Sequence, residues 1–204
     1  MRRTILLLAT MALTLLVASG VALAVNKIGT DGPDTLRGTN GADTLIGKGA
    51  NDILLALAGN DTLLGGPGKD LVNGGSLAEP LGGNKNLVGG DGNDAIQGGL
   101  GSDTMVGGDG NDYMFGGDFG DFAPPAAKDT LSAGAGNDVI DIFNKPAGKD
   151  VVACGSGFDR VLADRADVVA PDCERVFVGV RETDAYRASV PPSFFEGLPP
   201  FPAG

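Results

Sequence analysis

Apolar side chains recur along this chain at a step of nine residues. Leu36, Leu45, Leu54, Leu63 and Val72 keep the step, as do Leu87, Ile96, Met105 and Met114, then Leu131 and Ile140, then Val152 and Val161. Two residues before each stands an aspartate, with one lysine exception: Asp34, Asp43, Asp52, Asp61, Asp70, Lys85, Asp94, Asp103, Asp112, Asp129, Asp138, Asp150 and Asp159. Glycines crowd the residues ahead of each. The clearest copies are Gly89-Gly-Asp-Gly-Asn-Asp-Ala-Ile-Gln97 and Gly107-Gly-Asp-Gly-Asn-Asp-Tyr-Met-Phe115.

A fixed period of this kind marks a repeat architecture. Glycine tolerates positive φ, so the first six positions of each nonapeptide predict a tight turn. The last three predict a short strand, with the eighth side chain inward and its neighbours outward. Each nonapeptide is then half a coil, and stacked coils bury a column that no single repeat buries alone. The fold class expected is all-β: a right-handed parallel β-roll over 25–162. Thirteen half-coils at ~4.8 Å per coil give a roll roughly 30 Å long.

Alternate repeats lie on opposite edges. One edge carries Asp34, Asp52, Asp70, Asp94, Asp112, Asp138 and Asp159, the Asp34 column. The other carries Asp43, Asp61, Lys85, Asp103, Asp129 and Asp150, the Lys85 column. The steps from Asp70 to Lys85, Asp112 to Asp129 and Asp138 to Asp150 are longer than nine, so insertions gather on the second edge. Such loops can form a binding face, or record drift at tolerant turns. Thr44, Thr62, Asn86, Thr104 and Thr130, with Ile46, Leu64, Val88 and Val106 two residues on, should line the outside of one flat sheet. Ordinary strand propensity explains them. The alternative is a surface for self-association, a cell-wall ligand, polysaccharide or ice.

These residues resemble the RTX, or hemolysin-type, repeat G-G-x-G-x-D-x-U-x, from Gly29 to about Leu162. The resemblance implies Ca²⁺ held between successive turns by aspartates and turn carbonyls. The candidate metal ligands are the twelve aspartates of the two columns. Stacked carboxylates repel, and a hard, oxygen-seeking dication relieves the repulsion. The alternative is that the aspartates only cap their turns. The turns are expected to face solvent, giving weak sites with Kd in the ~10⁻⁴–10⁻³ M range. The ammonium of Lys85 can stand in for a calcium.

Composition narrows the field. The chain has 204 residues, with 35 Gly, 22 Asp against four Glu, and neither His nor Trp. Gly plus acid can mean disorder, but 42% hydrophobic residues at regular places argue against it for the central region. A net charge of -11 opposes nucleic acid as a partner. Without His, HExxH zinc sites and Ser-His-Asp triads are excluded, and no enzyme is expected. Arg2, Arg3, the apolar run Ile5–Val17 and Ala22-Leu23-Ala24 predict a signal peptide over 1–24. Secretion, no membrane span after cleavage, and an oxidising compartment follow. Cys154 and Cys173 are 19 apart, about one coil, which suits a disulfide stapling a C-terminal cap over 163–180. The Pro- and Phe-rich tail over 181–204 is expected to be disordered.

Overall fold

The computed structural model describes residues 23–75, 82–117, 127–143 and 148–178. The expected signal peptide and tail therefore lie outside the described residues, except for Leu23 and Ala24. The described chain forms sixteen strands: β1 Asn26–Ile28, β2 Thr35–Arg37, β3 Thr44–Ile46, β4 Ile53–Leu55, β5 Thr62–Pro67, β6 Leu71–Asn73, β7 Asn86–Asp91, β8 Ala95–Gly99, β9 Thr104–Asp109, β10 Tyr113–Gly117, β11 Thr130–Gly136, β12 Val139–Asp141, β13 Val151–Gly157, β14 Arg160–Ala163, β15 Val168–Val169 and β16 Arg175–Val178. They build two parallel sheets of eight. Sheet I runs β1-β3-β5-β7-β9-β11-β13-β15, and sheet II runs β2-β4-β6-β8-β10-β12-β14-β16. This is the expected β-roll, with three more half-coils than the period counted. β1 precedes the first aspartate, and β15 and β16 carry the sheets past Leu162.

Each strand pairs with the strand one coil on, in phase. Leu45 lies beside Leu63, Leu63 beside Leu87, and Met105 beside Leu131. The insertions fall between β6 and β7, β10 and β11, and β12 and β13, and none breaks the register. The reason is the core. Leu45, Leu54, Leu63, Val72, Leu87, Ile96, Met105, Met114, Leu131, Ile140, Val152 and Val161 form one buried column between the sheets. A strand slipped by one residue would turn its member of that column to the outside.

The two outer faces differ. On sheet I, Asn86, Thr104 and Thr130 are exposed. On sheet II, Leu71, Ala95, Val139 and Leu162 point out of the coil yet are buried. Val139 and Leu162 pack with Tyr113, Phe143 and Phe177 in a second apolar cluster. Strand alternation dictates the side on which a residue lies, not what covers that side.

The turns need left-handed backbone. Gly90 and Gly92 have φ of 128° and 127°, and a Cβ on Gly92 would strike the Gly68 carbonyl oxygen in the preceding coil. Coils therefore stack too closely at this position for any side chain. Lys48, Ala50 and Leu57 take φ of 91°, 66° and 77° without being glycine, at a local cost of about 1–2 kcal/mol each.

Cys154 and Cys173 are joined, with Cα atoms 5.2 Å apart, across the last coil. The Asp172 carboxylate accepts the Gly155 N–H at 3.0 Å beside the bridge. In a solenoid the benefit of such a link stays near it. Cys154→Ala/Cys173→Ala is expected to destabilise the terminal coils by about 3 kcal/mol. Hydrogen exchange should show protection lost around Val161 and kept around Thr44; equal loss at both would contradict the local account.

Candidate metal centres

Every turn ends on the sixth position of the repeat, and there the side chain folds under the next coil. Asp52, Asp70, Asp94, Asp112, Asp138 and Asp159 in one column, and Asp43, Asp61, Asp103, Asp129 and Asp150 in the other, are all buried. The expectation of solvent-facing carboxylates is thus corrected. Only Asp34, in the first coil, is partly exposed.

The cause is a ladder. Except at Asp61, which faces Lys85, the N–H of each sixth residue donates to the carboxylate one coil on, and that bond draws the carboxylate into the stack. In the Asp34 column, Asp34 donates to Asp52 Oδ1, Asp52 to Asp70, Asp70 to Asp94, Asp94 to Asp112, Asp112 to Asp138 and Asp138 to Asp159, at 2.7–2.9 Å. In the Lys85 column, Val25 donates to Asp43, Asp43 to Asp61, Lys85 to Asp103, Asp103 to Asp129 and Asp129 to Asp150.

Two rungs escaped the sequence reading. Asp150 donates to Asp167 Oδ1 at 3.1 Å, and Asp159 donates to Glu174 Oε2 at 2.8 Å. Each closes its column. The signal was present, since Val169 and Val176 follow these acids two residues on. The spacing had drifted from nine, and Glu174 is not an aspartate.

A second ladder runs the opposite way at the fifth position. Asn111 N–H donates to Asn93 Oδ1, and Asn137 N–H to Asn111 Oδ1, at 2.8 and 2.7 Å. Ser102 and Asn84 continue it on the other edge. These uncharged rungs tie coils together without any ion.

The ladder uses one carboxylate oxygen and leaves the other. In the first turn on each edge, a threonine closes it. Thr30 donates its N–H and hydroxyl to Asp34 Oδ2 at 2.5 and 2.9 Å, and Thr39 does the same for Asp43 at 2.5 and 3.2 Å. These two aspartates fit the turn-capping alternative. Farther along the Asp34 column, Oδ2 of Asp52, Asp70, Asp94, Asp112, Asp138 and Asp159 is buried with no hydrogen-bond partner. Buried polar atoms are nearly always partnered, so six orphans in a line point to a ligand.

The electrostatics agree. Burial, opposed by the ladder bond and reinforced by neighbouring carboxylates, pushes Asp70 up to about 6, Asp94 to about 7, Asp112 to about 8 and Asp138 to about 6. The rise peaks in mid-column, where Asp91 and Asp109 add further negative charge. Thr30 instead holds Asp34 below the usual carboxylate range.

Oxygen donors stand close to the orphans. Asp94 Oδ2 and the Gly107 carbonyl oxygen both face the space a Cβ on Gly89 would fill. Among the described residues no three acidic side chains converge on one point, so a cation there needs turn carbonyls as well. The chain has no His, and both cysteines are bridged, so the available donors are oxygens. A hard cation such as Ca²⁺ suits that set.

The RTX calcium-binding nonapeptide repeat matches the chain in four copies, over residues 28–63, 46–76, 88–123 and 126–141. The chain belongs to this family. A search among curated proteins returns no match. The RTX repeat is a calcium-binding motif, and in this RTX chain it coincides with the turns that carry the orphaned oxygens from Asp52 to Asp138. The roll continues past the last matched copy, through β13 to β16. The matched segments also leave out 77–87, the stretch that holds Lys85.

Proposed function

We propose that this RTX protein is secreted, folds around Ca²⁺ and serves as an extracellular structural scaffold, without enzymatic activity. The observation that carries the reading is the line of buried, unpartnered Oδ2 atoms from Asp52 to Asp159. Each aspartate would hold calcium through its free oxygen while the other keeps the ladder bond. Asp61, Asp103, Asp129 and Asp150 would serve the second edge, with Asp34 and Asp43 the weakest contributors because Thr30 and Thr39 already close them. Calcium would supply positive charge in mid-stack, where the protein places only negative charge along the Asp34 column.

Secretion is supported by the basic start, the apolar run and the Ala22-Leu23-Ala24 pattern, and by the disulfide, which suits an oxidising compartment. The ladder opens with the Val25 N–H, one residue after the expected cleavage point. No helix among the described residues is long and apolar enough to cross a membrane.

A second reading rests on the in-register outer column of Thr44, Thr62, Asn86, Thr104 and Thr130. It makes the chain a calcium-dependent adhesin for cell wall, polysaccharide or ice.

Equilibrium dialysis of the purified chain tests calcium binding. Several ions per chain are expected at millimolar calcium, and none bound at ~10 mM would end the reading. Calcium-dependent retention on cell-wall, polysaccharide or ice supports would favour the adhesin over the scaffold.

A further inference from the structure

We propose that Lys85 is a built-in cation, which takes the place of calcium between Asp61 and Asp103 and holds the middle of the Lys85 column together without metal. The proposal rests on the calcium reading of the flanking turns.

Lys85 occupies the sixth position of its turn in full register. Asn86, the next residue, pairs with Thr62 on one side and Thr104 on the other. The Lys85 backbone N–H donates to Asp103 Oδ1 at 2.8 Å, as an aspartate's would. The side chain is not a solvated surface lysine, because only 1% of it is exposed. Nζ donates to the Gly83 carbonyl at 2.9 Å and lies 4.0 Å from Asp61 Oδ2. A carboxylate oxygen of the preceding coil and a carbonyl of its own turn are the two kinds of donor a calcium would use at the other turns. The ammonium meets both, and it arrives where the column lacks a carboxylate.

A monovalent head on a tether differs from a free dication in one respect: it cannot be chelated. The Lys85 column is therefore divided. Asp103, Asp129 and Asp150 form a calcium-dependent run, while ahead of them Thr39 closes Asp43 and Lys85 meets Asp61, so β5, β7 and β9 are joined by a covalently attached charge. The continuous Asp34 column on the other edge has no such relief.

Two variants test this with calcium counting and hydrogen exchange. Lys85→Asp restores the carboxylate found at the other turns and is expected to bind one or two more calcium ions than the parent. Lys85→Met keeps length without charge. It should bind no more calcium than the parent, but in excess chelator it should lose protection around Thr62–Leu64 and Thr104–Val106 that the parent retains. The proposal is overturned if Lys85→Asp binds no more calcium than the parent, or does not fold in saturating calcium. It is equally overturned if Lys85→Met keeps the parent's protection in chelator. A parent chain that binds no calcium would instead sink the function proposed above, and the Lys85→Met comparison would still decide the role of the ammonium.

Discussion

Excess chelator is expected to abolish most of the β signal of the chain at pH 8, outside the coils that Lys85 joins, and restored calcium to recover it in the ~10⁻⁴–10⁻³ M range. Six carboxylates of one column stack one coil apart in the interior, each with an oxygen that the protein leaves unpartnered. Without a cation, folding must desolvate these charges side by side, which is unfavourable even when each keeps a ladder bond. The unfolded chain has no such sites, so calcium affinity appears as folding free energy. Protons offer a partial substitute, and the sign can be worked out. Asp112 rises from an ordinary 3.8 to about 8, and Asp94 to about 7. The folded state therefore binds protons more tightly than the unfolded state. That contribution is full below pH ~4 and is lost as pH rises through 7 to 8. Calcium-free chain should be more stable at pH 5 than at pH 9, and calcium should bind more weakly at pH 5, where protons compete. Urea titrations of metal-free and calcium-loaded chain across this range check both. Metal-free stability that climbs with pH would contradict the account.

Asp112→Asn should change sign with calcium. The amide oxygen can still accept the Asp94 N–H, now at 2.9 Å from Asp112 Oδ1, so the ladder survives. The charge is gone, however, together with its repulsion from Asp94, Asp138 and Asp109. Without calcium the variant is expected to be more stable than the parent, by on the order of 1–3 kcal/mol at pH 8. In saturating calcium it should be less stable and carry one or two fewer ions, because a neutral oxygen is a poorer ligand for a dication. Asp112→Ala provides the control. It removes the acceptor as well, leaves the Asp94 N–H unsatisfied and should be destabilised by about 1–3 kcal/mol from that loss with calcium present. The β signal of the three proteins in excess chelator at pH 8, and their urea midpoints in saturating calcium, give the comparison. A substitution to Asn that weakens the chain equally in both conditions would mean the carboxylate acts only through its ladder bond.

Much of the molecule is legible in the spacing alone. A nine-residue period places Leu45 over Leu63 and Leu54 over Val72, and so dictates strands, sheets and core together. The same period brings Cys154 within reach of Cys173, since their separation is close to one coil. Glycine positions announce the turns, and the few departures at Lys48, Ala50 and Leu57 keep the left-handed backbone. Calcium was legible through the aspartates and the likeness of the repeat to the RTX motif.

Other features came only from stacking. The sequence shows that an aspartate recurs; it does not show which of its two oxygens meets a neighbour's N–H and which is left over. That split turns an expected solvent-facing turn into a buried ladder, and it separates Asp34 and Asp43, closed by Thr30 and Thr39, from the orphaned carboxylates that follow. The rungs at Asp167 and Glu174, the reversed asparagine ladder and the buried outer residues of sheet II belong to the same class. Lys85 shows the division most clearly: its position in the period is plain from the sequence, but its burial against Asp61 is decided by the coil above it. Period specifies which residues lie over one another, because strand register is set by a repeating apolar column. Which atoms then touch depends on the distance and direction between coils, and only the tertiary structure supplies those.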